Sequence, residues 1–91
     1  MIVRLLGEGQ FRVDDTLVST LNELDDVVIA AVQAEDERAL WSGLAALADA
    51  VRANGVPLTT EELMPSDAVI PPEDLSLEEA HELMSASGFV P

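Results

Sequence analysis

The chain has 91 residues and no cysteine, and its eighteen acidic residues outweigh four arginines with no lysine, for a formal net charge of −14 at pH 7. That balance excludes direct binding to nucleic-acid phosphates or anionic lipid, because counterion release and surface potential both act on basic groups. The length suits one small domain burying roughly 60 to 65% of its unfolded surface, and the missing thiols exclude a disulfide framework, a thiolate nucleophile and a cysteine zinc site.

Residues 1–13 alternate as a β-hairpin. Placing Val3, Leu5, Phe11 and Val13 on the core face pairs Val3 with Val13, Leu5 with Phe11 and Leu6 with Gln10. Gly7-Glu8-Gly9 is then the loop, with Gly9 in the left-handed conformation such a loop needs near its end. This register sets Arg4 directly opposite Arg12 on the other face.

Residues 14–54 read as an antiparallel αα-hairpin. Asp14 is a helix N-cap, with Val13 and Val18 spaced as a hydrophobic staple. Leu17, Leu21, Leu24, Val28 and Ala31 keep the 3-4 spacing of one helical stripe. Val18, Val27, Ile29 and Val32 widen the apolar arc to about 200°, beyond the ~100° of an ordinary surface helix, so this helix needs cover on more than one side. Asp25 falls inside the arc, where a charge must be paired or sit at the rim.

The second helix follows the polar break at Glu35-Asp36, with Asp36 as cap and Leu40, Leu44, Leu47 and Val51 as its core stripe. Asn54-Gly55-Val56-Pro57 marks its end: Gly55 suits a left-handed position and Pro57 forbids continuation. The rear of this helix carries Ala39, Ala46, Ala50 and Ala53 with Gly43 nearby, a pattern that fits helix propensity on a solvated face and equally a close helix contact.

Residues 55–75 form a proline-punctuated connector. Within it Thr59-Thr60-Glu61-Glu62 has capping-box spacing for one helical turn, and Ala68-Val69-Ile70 could add a short edge strand beside the hairpin. Residues 76–91 are a C-terminal helix and tail. Ser76-Leu77-Glu78-Glu79 is a second capping box, opening a helix to about Ser85 with Leu77, Ala80 and Met84 inward; Gly88 ends it and Phe89-Val90 dock. The whole is expected to be an α+β domain, a hairpin or three short antiparallel strands on an αα-hairpin plus the C-terminal helix.

Four residues stand out as candidate partner contacts: Arg4, Arg12, Trp41 and Asp25. Like charges opposite one another destabilise a sheet unless carboxylates or an anion lie between them. Arg4 and Arg12 therefore either form ion pairs with first-helix acids such as Glu23, Asp25 or Asp26, or anchor a partner's acids through bidentate geometry. Trp41 flanks the second helix's stripe, as peripheral core or as an interface residue. The single histidine, His81, stands among Glu78, Glu79 and Glu82, a solvated helical face with neither a zinc ligand set nor a nucleophile. Walker, EF-hand, dinucleotide and nucleophile-elbow motifs are missing from the sequence. No catalytic, cofactor-binding or metal-binding residues are assigned. The start lacks a signal peptide and no apolar run approaches the ~18 residues that span a bilayer, so a cytoplasmic protein without membrane insertion is expected.

Met1-Ile-Val-Arg-Leu-Leu-Gly-Glu-Gly-Gln-Phe, Leu21-Asn-Glu-Leu-Asp-Asp, Pro65-Ser-Asp-Ala-Val-Ile-Pro-Pro and Gly88-Phe-Val-Pro, in that order, resemble the PspA-associated domain of actinobacteria and archaea. The resemblance implies a non-enzymatic accessory of the phage-shock envelope-stress response. It implies as partner a PspA-like coiled-coil protein on the inner face of the cytoplasmic membrane, to which this chain would be recruited. Self-association into a homo-oligomer is also expected from the surplus apolar helix surface. Two rival readings are a small anion-binding or enzymatic domain using the Arg4 and Arg12 face, and an acidic antitoxin-like partner of a basic protein.

Overall fold

A computed structural model describes residues 1–59 and 64–83. The first two strands, β1 (Ile2–Leu5) and β2 (Gly9–Arg12), pair antiparallel with Val3 opposite Phe11, Arg4 opposite Gln10 and Leu5 opposite Gly9. This register lies two residues from the one expected, which placed Val3 opposite Val13. The turn decides it: the Glu8 N–H donates to the Leu5 carbonyl at 2.9 Å, with Gly7 at φ +90° in the third position, where a type II turn needs positive φ. Gly9 also has positive φ, +115°, but as the first residue of β2. The tighter turn brings Met1 into the ladder, where the Val13 N–H donates to the Met1 carbonyl at 2.8 Å and the Met1 ammonium donates to the Val13 carbonyl at 3.1 Å.

The hairpin is the centre of a four-stranded sheet. Two short strands complete it, β3 (Val56–Pro57) and β4 (Ala68–Ile70), in the order β3-β2-β1-β4. The strand expected at Ala68-Val69-Ile70 forms, but it runs parallel to β1, not antiparallel. A helical hairpin intervenes between the two strands, so no tight turn dictates their direction. Proline is tolerated in β3 because that strand is an edge.

Asp14 caps as expected, accepting the Thr16 N–H at 2.9 Å, yet it opens a single 3-10 turn, Asp15–Leu17, ahead of helix α1 (Val18–Gln33). That bond holds the Asp14 carboxyl below its ordinary pKa. Glu35, at φ +55°, ends α1: its N–H donates to the Val32 carbonyl at 3.1 Å and that of Asp36 to Ala31 at 2.9 Å, the paired bonds of a Schellman motif without a glycine. Asp36 then accepts the Ala39 N–H at 3.1 Å and caps helix α2 (Glu37–Asn54).

Leu40, Leu44, Leu47 and Val51 are fully buried, together with Leu21 and Val28 of α1. The helices approach closely at Gly43, where a Cβ would lie 2.8 Å from the Val28 Cγ2. Ala39, Ala46 and Ala50 are half-buried and Ala53 is exposed. The broad apolar arc of α1 is incompletely covered, leaving Val27 54% exposed. Gly55 is not left-handed as expected but extended, with φ −89° and ψ 160°. Glycine is needed there for space, since a Cβ would come within 2.6 Å of the Val51 carbonyl oxygen and 3.1 Å of the Phe11 Cβ.

The third helix, α3 (Leu77–Leu83), starts at Ser76, whose Oγ accepts the Glu79 N–H at 3.1 Å while its hydroxyl donates to the Glu79 carboxylate at 3.0 Å. Ala80 is buried on the core. The expected turn at Thr59–Glu62 and the expected Met84, Ser85, Gly88 and Phe89-Val90 features lie outside the described residues. One apolar cluster joins the inner sheet face, through Val3, Leu5, Val13 and Ile70, to both long helices, an α+β architecture as expected.

Candidate functional site

Strand alternation sends Val3, Leu5, Phe11 and Val13 toward the helices and Ile2, Arg4, Gln10 and Arg12 away from them. On this outer face one row runs Val56, Arg12, Ile2 and a second runs Gln10, Arg4, Val69. Arg4 and Arg12 are therefore diagonal neighbours, a spacing of about 7–8 Å. They do not stand directly opposite each other as expected, because the register is shifted.

Residues 64–67 cover the middle of this face. The buried Gln10 amide donates to the Met64 carbonyl and, at 2.8 Å, to the Ser66 Oγ, and its oxygen accepts the Met64 N–H at 3.2 Å. Asp67 closes the edge of β1, its Oδ2 accepting the Ile2 N–H and its own N–H donating to the Ile2 carbonyl, both at 2.7 Å. Arg12 stays exposed and Arg4 half-buried, and their apolar flanks stay open, with Val56 63%, Met64 42% and Val69 41% exposed.

Neither Arg4 nor Arg12 makes an ion pair among the described residues; Arg12 reaches only the Met64 sulfur, at 3.6 Å. The expected bridges to Glu23, Asp25 and Asp26 do not form because α1 packs behind the opposite face of the sheet. Glu23 and Asp26 are exposed on α1, whereas Asp25 is only 1% exposed. Asp25 thus lies in the interior and presents no surface to a partner. Its sequence position inside the apolar arc left pairing or a place at the rim; burial removes the rim, and no buried side-chain nitrogen or oxygen among the described residues lacks a hydrogen-bond partner.

Trp41 serves the fold and stays open. Its indole N–H donates to the Leu75 carbonyl at 2.7 Å while 41% of the residue remains exposed. One turn earlier the Glu37 carboxylate accepts the Leu77 N–H at 3.3 Å, so the first turns of α2 clasp the start of α3. His81 is exposed on α3. Among the described residues no group of three or more His, Cys, Asp or Glu side chains is placed to hold a metal ion, and no helix is long and apolar enough to cross a membrane.

A cluster that the sequence reading missed is centred on Arg52. Its guanidinium donates to the Glu8 carboxylate at 2.8 to 3.1 Å and to Asp49 at 2.9 Å, and it lies 3.6 Å from Glu73. The Glu8 bond pushes the guanidinium pKa up from its ordinary value. Only the i,i+3 pair Asp49 and Arg52 was legible as spacing; Glu8 and Glu73 arrive from the hairpin turn and the segment after β4. Arg52 borders an open cleft of about 430 Å³ between those two segments. With its donors occupied by its own carboxylates, this arginine ties three elements together and offers little to an external anion.

A family model described as PspA-Associated protein matches residues 1–91. No curated protein and no solved structure matches the chain.

Proposed function

Since the chain belongs to the PspA-associated protein family, we propose that it is a non-enzymatic adaptor of the envelope-stress response that binds a PspA-like, membrane-associated coiled-coil protein. The family match over the full 91 residues carries this reading. Charge supports it. A lysine-free surface of net charge −14 is suited to the basic stripes that a coiled coil needs to hold anionic lipid. Docking there would compete with lipid and couple occupancy of the adaptor to release of the partner from the membrane. The chain then works in the cytoplasm and reaches the inner membrane face through its partner.

Co-expression with a PspA-like protein, affinity capture and mass spectrometry test the reading. The complex should survive at about 0.1 M salt and dissociate near 1 M, as the Debye length falls from about 10 to about 3 Å. Capture without the partner, or a complex indifferent to salt, would contradict it.

A further inference from the structure

The outer sheet face and the exposed stripe of α1 are complementary, and they cannot meet within one chain. The first presents Arg4 and Arg12, without carboxylate partners among the described residues, flanked by the exposed aliphatics Val56 and Val69. The second presents Glu23 and Asp26, both exposed and without an ion pair among the described residues, beside Val27 at 54% exposure. Carboxylates at i and i+3 on a helix have Cβ atoms about 5–6 Å apart. Diagonal positions on a sheet are separated by about 7–8 Å, a difference that arginine side chains bridge. Each face also has apolar surface next to its charges, so contact would bury aliphatic side chains as well as form ion pairs.

We infer that this sheet face is the docking site for the α1 stripe of a second copy of the same chain, with Arg4 and Arg12 receiving Glu23 and Asp26 and Val27 packing against the exposed aliphatic rim of the face. Two different patches meet in such a contact, so it is head-to-tail, and copies add in one direction to give a ring or an open row. Repulsion between two acidic chains opposes association, but at physiological ionic strength the Debye length is about 8 Å. Distant acids are then screened while the contacting pairs are not. The patch is small and partly polar, so the association is weak and concentration-dependent.

Sedimentation velocity of this chain alone, in about 0.15 M salt and at up to roughly 1 mM protein, tests the inference without reference to any other partner. The wild-type chain should sediment faster as concentration rises. Arg4→Glu with Arg12→Glu, and separately Glu23→Arg with Asp26→Arg, should each sediment as monomers with unchanged circular dichroism. An equimolar mixture of the two variants should associate again, because each supplies the patch the other has lost. If a reversal variant fails to fold, the milder Arg4→Gln with Arg12→Gln variant is used, and it should shift association to higher concentration. A wild-type chain that stays monomeric throughout, variants that associate like wild type, or a mixture that remains monomeric would overturn the inference. Because no PspA-like protein is present, these outcomes are independent of whether the adaptor reading holds.

Discussion

On the inner face of the sheet Val3, Leu5, Val13, Ala68 and Ile70 are none of them more than 4% exposed, and they merge with the leucine stripe of α2. The outer face of the same strands is finished differently. Gln10 is held by hydrogen bonds to residues 64–66, and around it Arg4 is half-buried while Arg12 and Val69 are exposed, neither arginine having an ion pair among the described residues. One layer is close-packed and apolar, the other polar and half open. The difference separates what makes the chain fold from what it offers to other molecules: apolar burial supplies most of the driving force, while arginines at a surface add little to folding and much to recognition.

The largest expected effects are therefore on the inner side. Leu44→Ala removes a fully buried side chain between helices and sheet, and urea unfolding should show a loss of about 2–5 kcal/mol. Gly43→Val places atoms where the Val28 Cγ2 already stands and should cost about 1–3 kcal/mol. Adding Val28→Ala should recover part of that loss, and strict additivity of the two substitutions would show that the helices do not meet there.

The inner layer was also the legible one. The stripe from Leu40 to Val51, the caps at Asp36 and Ser76 and the helical hairpin itself follow from local spacing. The β-register did not. A shift of one residue would turn every side chain over, but a shift of two keeps both faces intact, so alternation alone cannot choose between them. The choice rested on whether Gly7 or Gly9 turned the chain. Gly55 misled for a related reason: glycine can signal a left-handed residue or a missing Cβ, and here the backbone of Val51 and the Phe11 side chain require the second.

The outer face was the less legible because its partners are remote in sequence. Gln10 meets Met64 across more than fifty positions, and Asp67 meets Ile2 across sixty-five. From the sequence Arg4 and Arg12 could be placed on a common face, but that neither pairs with an acid of α1 depends on which side of the sheet α1 packs. Gln10→Ala is the intermediate test of this face. It should cost about 1 kcal/mol, since the freed Met64 groups can take water. Hydrogen exchange should then speed up at the Met64 amide while the amides of α2 keep their protection.

The smallest expected effect is the most informative. Arg4→Gln with Arg12→Gln, unfolded in urea at about 1 µM protein so that weakly held copies are apart, should leave midpoint and slope unchanged, within about 0.5 kcal/mol of wild type. That result would assign both arginines to recognition. A loss above about 1 kcal/mol at that dilution would instead make them part of what holds the fold together, and would contradict the division between the two faces.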